Sequence, residues 1–107
     1  PQISGTNNML ECRDVVLNTV THIVTRSGVP VKLMPKEFAL LEFLLKHQDQ
    51  VLSADALLDR VWPSSSDMSP ESVRVYVARL RKKLGDVSDE SPLLRTVHGV
   101  GYKLCSR

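Results

Sequence analysis

Ser69-Pro-Glu-Ser-Val-Arg-Val-Tyr-Val-Ala-Arg-Leu-Arg-Lys-Lys-Leu84 joins a helix start, an apolar stripe and a concentration of positive charge. Ser69 suits an N-cap, Pro70 fits the first helical position, where a missing N–H costs nothing, and Glu71 sets negative charge against the positive end of the helix dipole. Val73, Val77, Leu80 and Leu84 recur at spacings of four, three and four, the pattern of a helix packed along one side. Gly85 offers a stop. At about 100° per residue, Val75, Ala78 and Lys82 fall opposite that stripe, with Arg74 and Arg81 on one flank and Tyr76, Arg79 and Lys83 on the other. Residues 72–84 hold five cations and no acid. Such a face suits the major groove of a duplex: small Val75 and Ala78 permit close approach, Val75 can meet a thymine methyl, and arginine can bond guanine O6 and N7 together. A solvated basic helix end is the alternative. The helix dipole alone accounts for Arg81, Lys82 and Lys83 in the last turn, but leaves Arg74 and Arg79 unexplained.

The 107 residues suffice for one soluble domain with its own core, and no stretch approaches the roughly 20 apolar residues of a membrane span. Because the chain opens with Pro1 and a polar run, we expect a piece of a longer protein, with residues 1–8 a linker remnant and 9–107 the domain. The net charge of +2 is unevenly divided. Residues 1–70 carry six Lys or Arg against eight Asp or Glu, a balance of −2, whereas residues 71–107 carry eight against four, a balance of +4. That clustering favours a nucleic-acid partner more than the total does. Cys12 and Cys105, each in an apparent strand and without C-x-x-C spacing, read as reduced structural thiols of a cytoplasmic protein. His22, His47 and His98 lack metal-ligand spacing, so neither a metal nor another cofactor is expected. No nucleophile elbow, phosphate-cradling glycine loop or H-E-x-x-H occurs, and nothing supports an enzyme.

In chain order, Met9–Cys12, Val15–Leu17, His22–Arg26 and Val31–Leu33 read as short strands of an antiparallel meander, broken at Arg13-Asp14, at residues 18–21 and at Ser27-Gly28. Such a sheet needs a covering layer. Pro35 to His47 supplies one, a helix with Phe38, Leu41, Leu44 and Leu45 on its stripe and Leu40 and Phe43 widening it. Glu37 stands where a capping box wants it, but position 34 is Met and not Ser or Thr, a lost cap of about 1 kcal/mol. Val51-Leu52 is briefly extended. Ser53 caps a second helix, Ala54 to Trp62, with Leu57, Leu58 and Val61 inward and Pro63 ending it. Pro63 to Met68 is a Ser-rich loop before the basic helix, and Asp86 to Pro92 is acidic and turn-rich. Leu94–His98 and Tyr102–Cys105 flank Gly99-Val100-Gly101, a hairpin whose glycines are free to take positive φ. The order of elements, α+β with a four-stranded antiparallel sheet, a three-helix bundle and a C-terminal β-hairpin, is that of a winged helix-turn-helix. In that architecture the third helix enters the major groove and the hairpin, or wing, reaches the adjacent minor groove or backbone.

The residues resemble the OmpR/PhoB-type effector domain of bacterial two-component response regulators over most of the chain. Leu33-Met-Pro-Lys-Glu-Phe-Ala-Leu-Leu41, Leu57-Leu-Asp-Arg-Val-Trp62, Arg79-Leu-Arg-Lys-Lys-Leu84 and Thr96-Val-His-Gly-Val-Gly-Tyr102 carry the likeness. The resemblance implies sequence-specific binding of double-stranded DNA for transcriptional regulation, in the output domain of a phosphorelay, with helix 70–84 in the major groove and wing 95–104 at the minor groove or backbone. It implies an upstream receiver domain, tandem direct repeats as the DNA target, and RNA polymerase as a partner of loop 63–69. By the same likeness Arg74, Tyr76, Ala78, Arg79 and Arg81 face DNA, joined by Val75 and Lys82 from the outward face. Arg79 is then the base reader and Arg81 a phosphate contact, while Trp62, Thr96 and Tyr102 touch the backbone. Three positions depart from the family pattern. Arg74 replaces a frequently acidic residue, Ala78 cannot donate a hydrogen bond, and His98 stands where the wing often carries Arg, which makes its contact with DNA pH-dependent. The usual Gly after Trp62 is also absent. A protein-interaction module that keeps the shape and uses the basic helix on an acidic partner is the rival function, and binding against salt separates the two.

Overall fold

Residues 8–63, 68–85 and 93–106 are described by a computed structural model of the chain. Four short strands, β1 (Met9–Cys12), β2 (Val15–Asn18), β3 (Ile23–Arg26) and β4 (Val29–Val31), pair antiparallel in sequence order. Their register sets Leu10 beside Leu17, Leu17 beside Val24 and Val24 beside Val31. Cross-strand partners share a face, so these four form one apolar ridge turned toward the helices, with Val15, Leu17 and Val24 buried. The last strand runs over Val29–Val31 and not over Val31–Leu33 as expected. The cause lies in the turn: Ser27 (φ 52°) and Gly28 (φ 79°) are both left-handed, which makes a two-residue hairpin and forces pairing to resume at Val29. Pro30 is tolerated because β4 is an edge strand and needs no N–H on its outer side. His22 lies just outside β3, also left-handed (φ 59°), and its ring stacks on Phe38 at 4.4 Å and 11°.

Helix α1 (Pro35–Lys46) lies across this sheet and buries Phe38, Leu40, Leu41, Leu44 and Leu45, with Phe43 half-buried. At its start Met34 offers no oxygen, but Glu37 keeps its half of the reciprocal cap and accepts the Met34 N–H at 2.8 Å. Strand β5 (Val51–Leu52) leads to α2 (Ala54–Val61), where Ser53 Oγ accepts the Ala56 N–H at 3.1 Å. Helix α3 (Pro70–Leu84) begins with Ser69 Oγ accepting from the Ser72 N–H and stops at left-handed Gly85 (φ 73°). Val73, Val77, Leu80 and Leu84 are buried, as their spacing requires, against α1 and α2. Lys36 Nζ donates to the Val61 carbonyl at 2.9 Å and Arg26 Nη1 to the Leu84 carbonyl at 2.7 Å, so cations close the carbonyl ends of α2 and α3.

The chain ends in a hairpin, β6 (Leu94–Val97) and β7 (Gly101–Leu104), with β5 on the other side of β7 to make a three-stranded sheet. Only one of the two flanking glycines is there for its dihedral. Gly99 has φ 77°, whereas Gly101 does not lie in the left-handed region; a Cβ on Gly101 would collide with the Leu52 carbonyl, so glycine is needed there to let β5 pass. Cys12 ends β1, and Cys105 lies one residue beyond β7 and not within it. Both thiols are free and buried, the Cys12 thiol donates to the Cys105 carbonyl at 3.3 Å, and burial pushes Cys12 up to about 11. A thiol held so far toward its neutral form behaves as a small core residue. Residues 64–67, within the loop assigned to RNA polymerase, the acidic stretch 86–92 and residues 1–7 of the linker segment lie outside the described residues.

Candidate nucleic-acid interface

Amphipathic periodicity turns Arg74 and Arg79 of α3 outward, because the opposite stripe is needed by the core. Arg74, Val75, Ala78, Arg79 and Lys82 are exposed, Val75 at 49%, while Tyr76 and Arg81 are half-buried. The hairpin stands beside this helix and leaves a groove between them. One part, about 230 Å³, has Pro70, Glu71 and Arg74 on the helix wall and Thr96 to Tyr102 on the hairpin wall. Another, about 380 Å³, is lined by Arg74, Ala78 and Arg81 facing Thr96, His98 and Tyr102. The basic helix and the hairpin singled out in the sequence are therefore neighbours across one concave surface, and Arg74 and His98 border both parts of it.

The cations of α3 differ in their partners. The Arg79 guanidinium lies 5.5 Å from the Tyr76 ring centroid, and the Tyr76 ring is tilted 59° against Trp62 at 4.9 Å, so a file of aromatic rings leads from the core to Arg79. Arg81 instead points back into the protein: Nε donates to the Leu94 carbonyl at 2.9 Å and Nη2 to Thr96 Oγ1. Lys83, though still exposed, is paired with the core carboxylate, its Nζ 2.6 Å from Glu37 Oε1. Burial of Glu37 works to raise its pKa, but the bonds from Lys83 and from the Met34 N–H outweigh it and hold the carboxyl below its ordinary range.

Of the other residues marked out by the sequence, Thr96 is half-buried and His98 exposed on the hairpin, whereas Trp62 and Tyr102 keep only 6% and 7% of their surface and pack in the core. Glu71 and Val100 are among the groove residues that the sequence did not single out. Glu71, there assigned only to the helix dipole, lines the groove one turn before Arg74, a spacing that could have marked it. Val100, 58% exposed at the hairpin tip, falls within the wing 95–104, but no local pattern distinguishes it from its neighbours. Among the described residues no cluster of three or more His, Cys, Asp or Glu could hold a metal ion, and no helix is long and apolar enough to cross a membrane.

The family described as transcriptional regulatory protein, C terminal, matches residues 28–104. The transcriptional regulatory protein CusR of Escherichia coli K12 is 40% identical over 97 residues, which are 91% of this chain and 42% of CusR. The phosphate regulon transcriptional regulatory protein PhoB of Rhizobium meliloti is 41% identical over 104 residues, 97% of this chain and 44% of that protein. The chain thus spans about two-fifths of the length of these relatives. Among solved structures, the DNA-binding domain of Klebsiella pneumoniae RstA in complex with the RstA box superposes with a TM-score of 0.84 at 30% identity, covering 94% of this chain and all of that one. The DNA-binding domain of Escherichia coli CpxR gives 0.77 at 30% identity, over 91% and 95%.

Proposed function

Because the chain belongs to the transcriptional regulatory protein, C-terminal family of OmpR/PhoB-type winged-helix domains, we propose that it binds a specific sequence in double-stranded DNA as the output domain of a two-component response regulator. The observation that carries this reading is the concave surface on which Arg74 of α3 faces His98 of the hairpin, beside the exposed Arg79 and Lys82 of the same helix. In the proposed complex α3 lies in the major groove, where Val75 and Ala78 allow close approach. Arg79, held over Tyr76, reads a guanine edge, Arg74 and Lys82 bind phosphates, and His98 and Thr96 meet the minor groove or backbone beyond. The RstA domain, solved in complex with the RstA box, supports the DNA-binding reading by likeness.

In the same reading residues 9–107 form the domain, a receiver domain accompanies it in the full-length protein, and phosphorylation there acts through tandem occupation of direct repeats. Loop 63–69 is its surface for RNA polymerase. The domain works in the cytoplasm, takes no cofactor and catalyses no reaction, in keeping with relatives that are transcription regulators. Measuring duplex affinity from low to high salt tests the reading, since each neutralised phosphate releases condensed counterions and gives log K a steep negative slope against log salt. A slope near zero would overturn it and favour an acidic protein partner for the basic helix.

A further inference from the structure

We propose that Arg81 is a positioning residue, which locks the angle between helix α3 and the wing, and not a direct phosphate contact. The seam between these two elements is open. Helix α3 packs chiefly on α1 and α2, while β7 is held by β5, β6 and α1. Between α3 and the hairpin lie the two grooves of about 230 and 380 Å³. Across that seam the Arg81 guanidinium reaches two acceptors on one strand, the Leu94 carbonyl at 2.9 Å and the Thr96 hydroxyl. Leu94 is fully buried, so one jaw of this clamp is anchored in the core. The planar fork matters here: guanidinium presents donors in a fixed geometry that spans two acceptors at once, which an ammonium cannot do. Arg81 is also half-buried, unlike exposed Arg74, Arg79 and Lys82 on the same helix.

A guanidinium spent in this way contributes to binding by fixing the wing before DNA arrives, so that the wing's position need not be ordered on association. That consequence rests on the DNA-binding reading; the clamp itself does not. The test compares Arg81→Lys, which keeps the charge and loses the fork, with Thr96→Val, which removes one acceptor without changing charge, and with Lys82→Ala.

In the DNA-free protein we expect amide exchange in residues 96–101 to accelerate in the first two variants, with α1 and α3 unchanged, and to stay as in the wild type in Lys82→Ala. On a duplex long enough to run under the wing, Arg81→Lys should bind roughly tenfold more weakly, the scale of one lost charge-assisted bond, and on a duplex ending at the major-groove contacts it should bind like the wild type. In the DNA-free protein the double variant should exchange no faster at the wing than Arg81→Lys alone. Unchanged wing exchange, exchange raised uniformly through α1, or full affinity of Arg81→Lys on the long duplex would each overturn the proposal. Failure of the wild type to bind any duplex would instead defeat the functional reading, with the exchange data still deciding for or against the clamp.

Discussion

Arg74, Arg79 and Arg81 carry the same charge in three settings: one borders the groove opposite His98, one lies over an aromatic ring and one is bonded to β6. Different settings give different mutational signatures. Arg79→Ala should cost about 1–3 kcal/mol of binding and relax preference at one base position, whereas Lys82→Ala should weaken all sequences alike and flatten the salt slope by about one. Affinity measured on single-base variants of a selected site checks both, and sequence-blind losses at Arg79 would remove it from the reading role. A separate expectation concerns stability. Glu37 is buried with its pKa depressed below the unfolded value, so its contribution is present above the ordinary carboxylate range and disappears as pH falls through the folded pKa. Thermal denaturation should therefore show the wild type losing stability on acidification below about pH 4.3, and Glu37→Gln losing less over the same interval. At neutral pH Lys83→Ala should cost about 1–3 kcal/mol, because it leaves a buried carboxylate short of a partner, while DNA affinity changes little.

Among the elements, α1 and the hairpin each contain a position whose chemistry is out of step with its local role. Met34 has the extended backbone of an N-cap (φ −71°, ψ 157°) and is exposed, yet it brings no side-chain oxygen. Met34→Ser should complete the reciprocal cap with Glu37 and raise stability by about 1 kcal/mol in chemical denaturation. No gain would mean that the cost at residue 34 is met elsewhere. Gly101 presents the converse, a residue whose necessity comes from a distant strand. Gly101→Ala should destabilise by at least about 1–3 kcal/mol, since the added Cβ meets the Leu52 backbone and no rotamer can relieve it. Gly99→Ala should cost less, about 1 kcal/mol of left-handed strain in an open turn. Equal effects at the two glycines would show that the turn, and not the passage of β5, governs the wing.

For the molecule as a whole, the proposed reading has one recognition helix and one wing cover a single half-site, so the DNA-free domain should sediment as a monomer with modest affinity. Fusing it through a flexible linker to an unrelated dimeric domain should strengthen binding to two half-sites about one helical turn apart, but scarcely to one, because the second contact then becomes intramolecular. A stable dimer of the unfused domain would place an interface within these residues. The sequence by itself determined the bounds of α3, the positions of α1 and α2, the hairpin and the face that α3 turns outward. Caps, stops and apolar spacing act within one or two turns and are written in neighbouring residues. Only the tertiary structure decided which cations stay available. Lys83 is taken by Glu37 and Arg81 by Leu94 and Thr96, Trp62 and Tyr102 turn into the core, and Gly101 is required by Leu52. The physical reason is common to all of these: periodicity gives the direction of a side chain about its own helix or strand, while its hydrogen-bond partner or obstacle arrives from another part of the chain, at a distance no local pattern encodes.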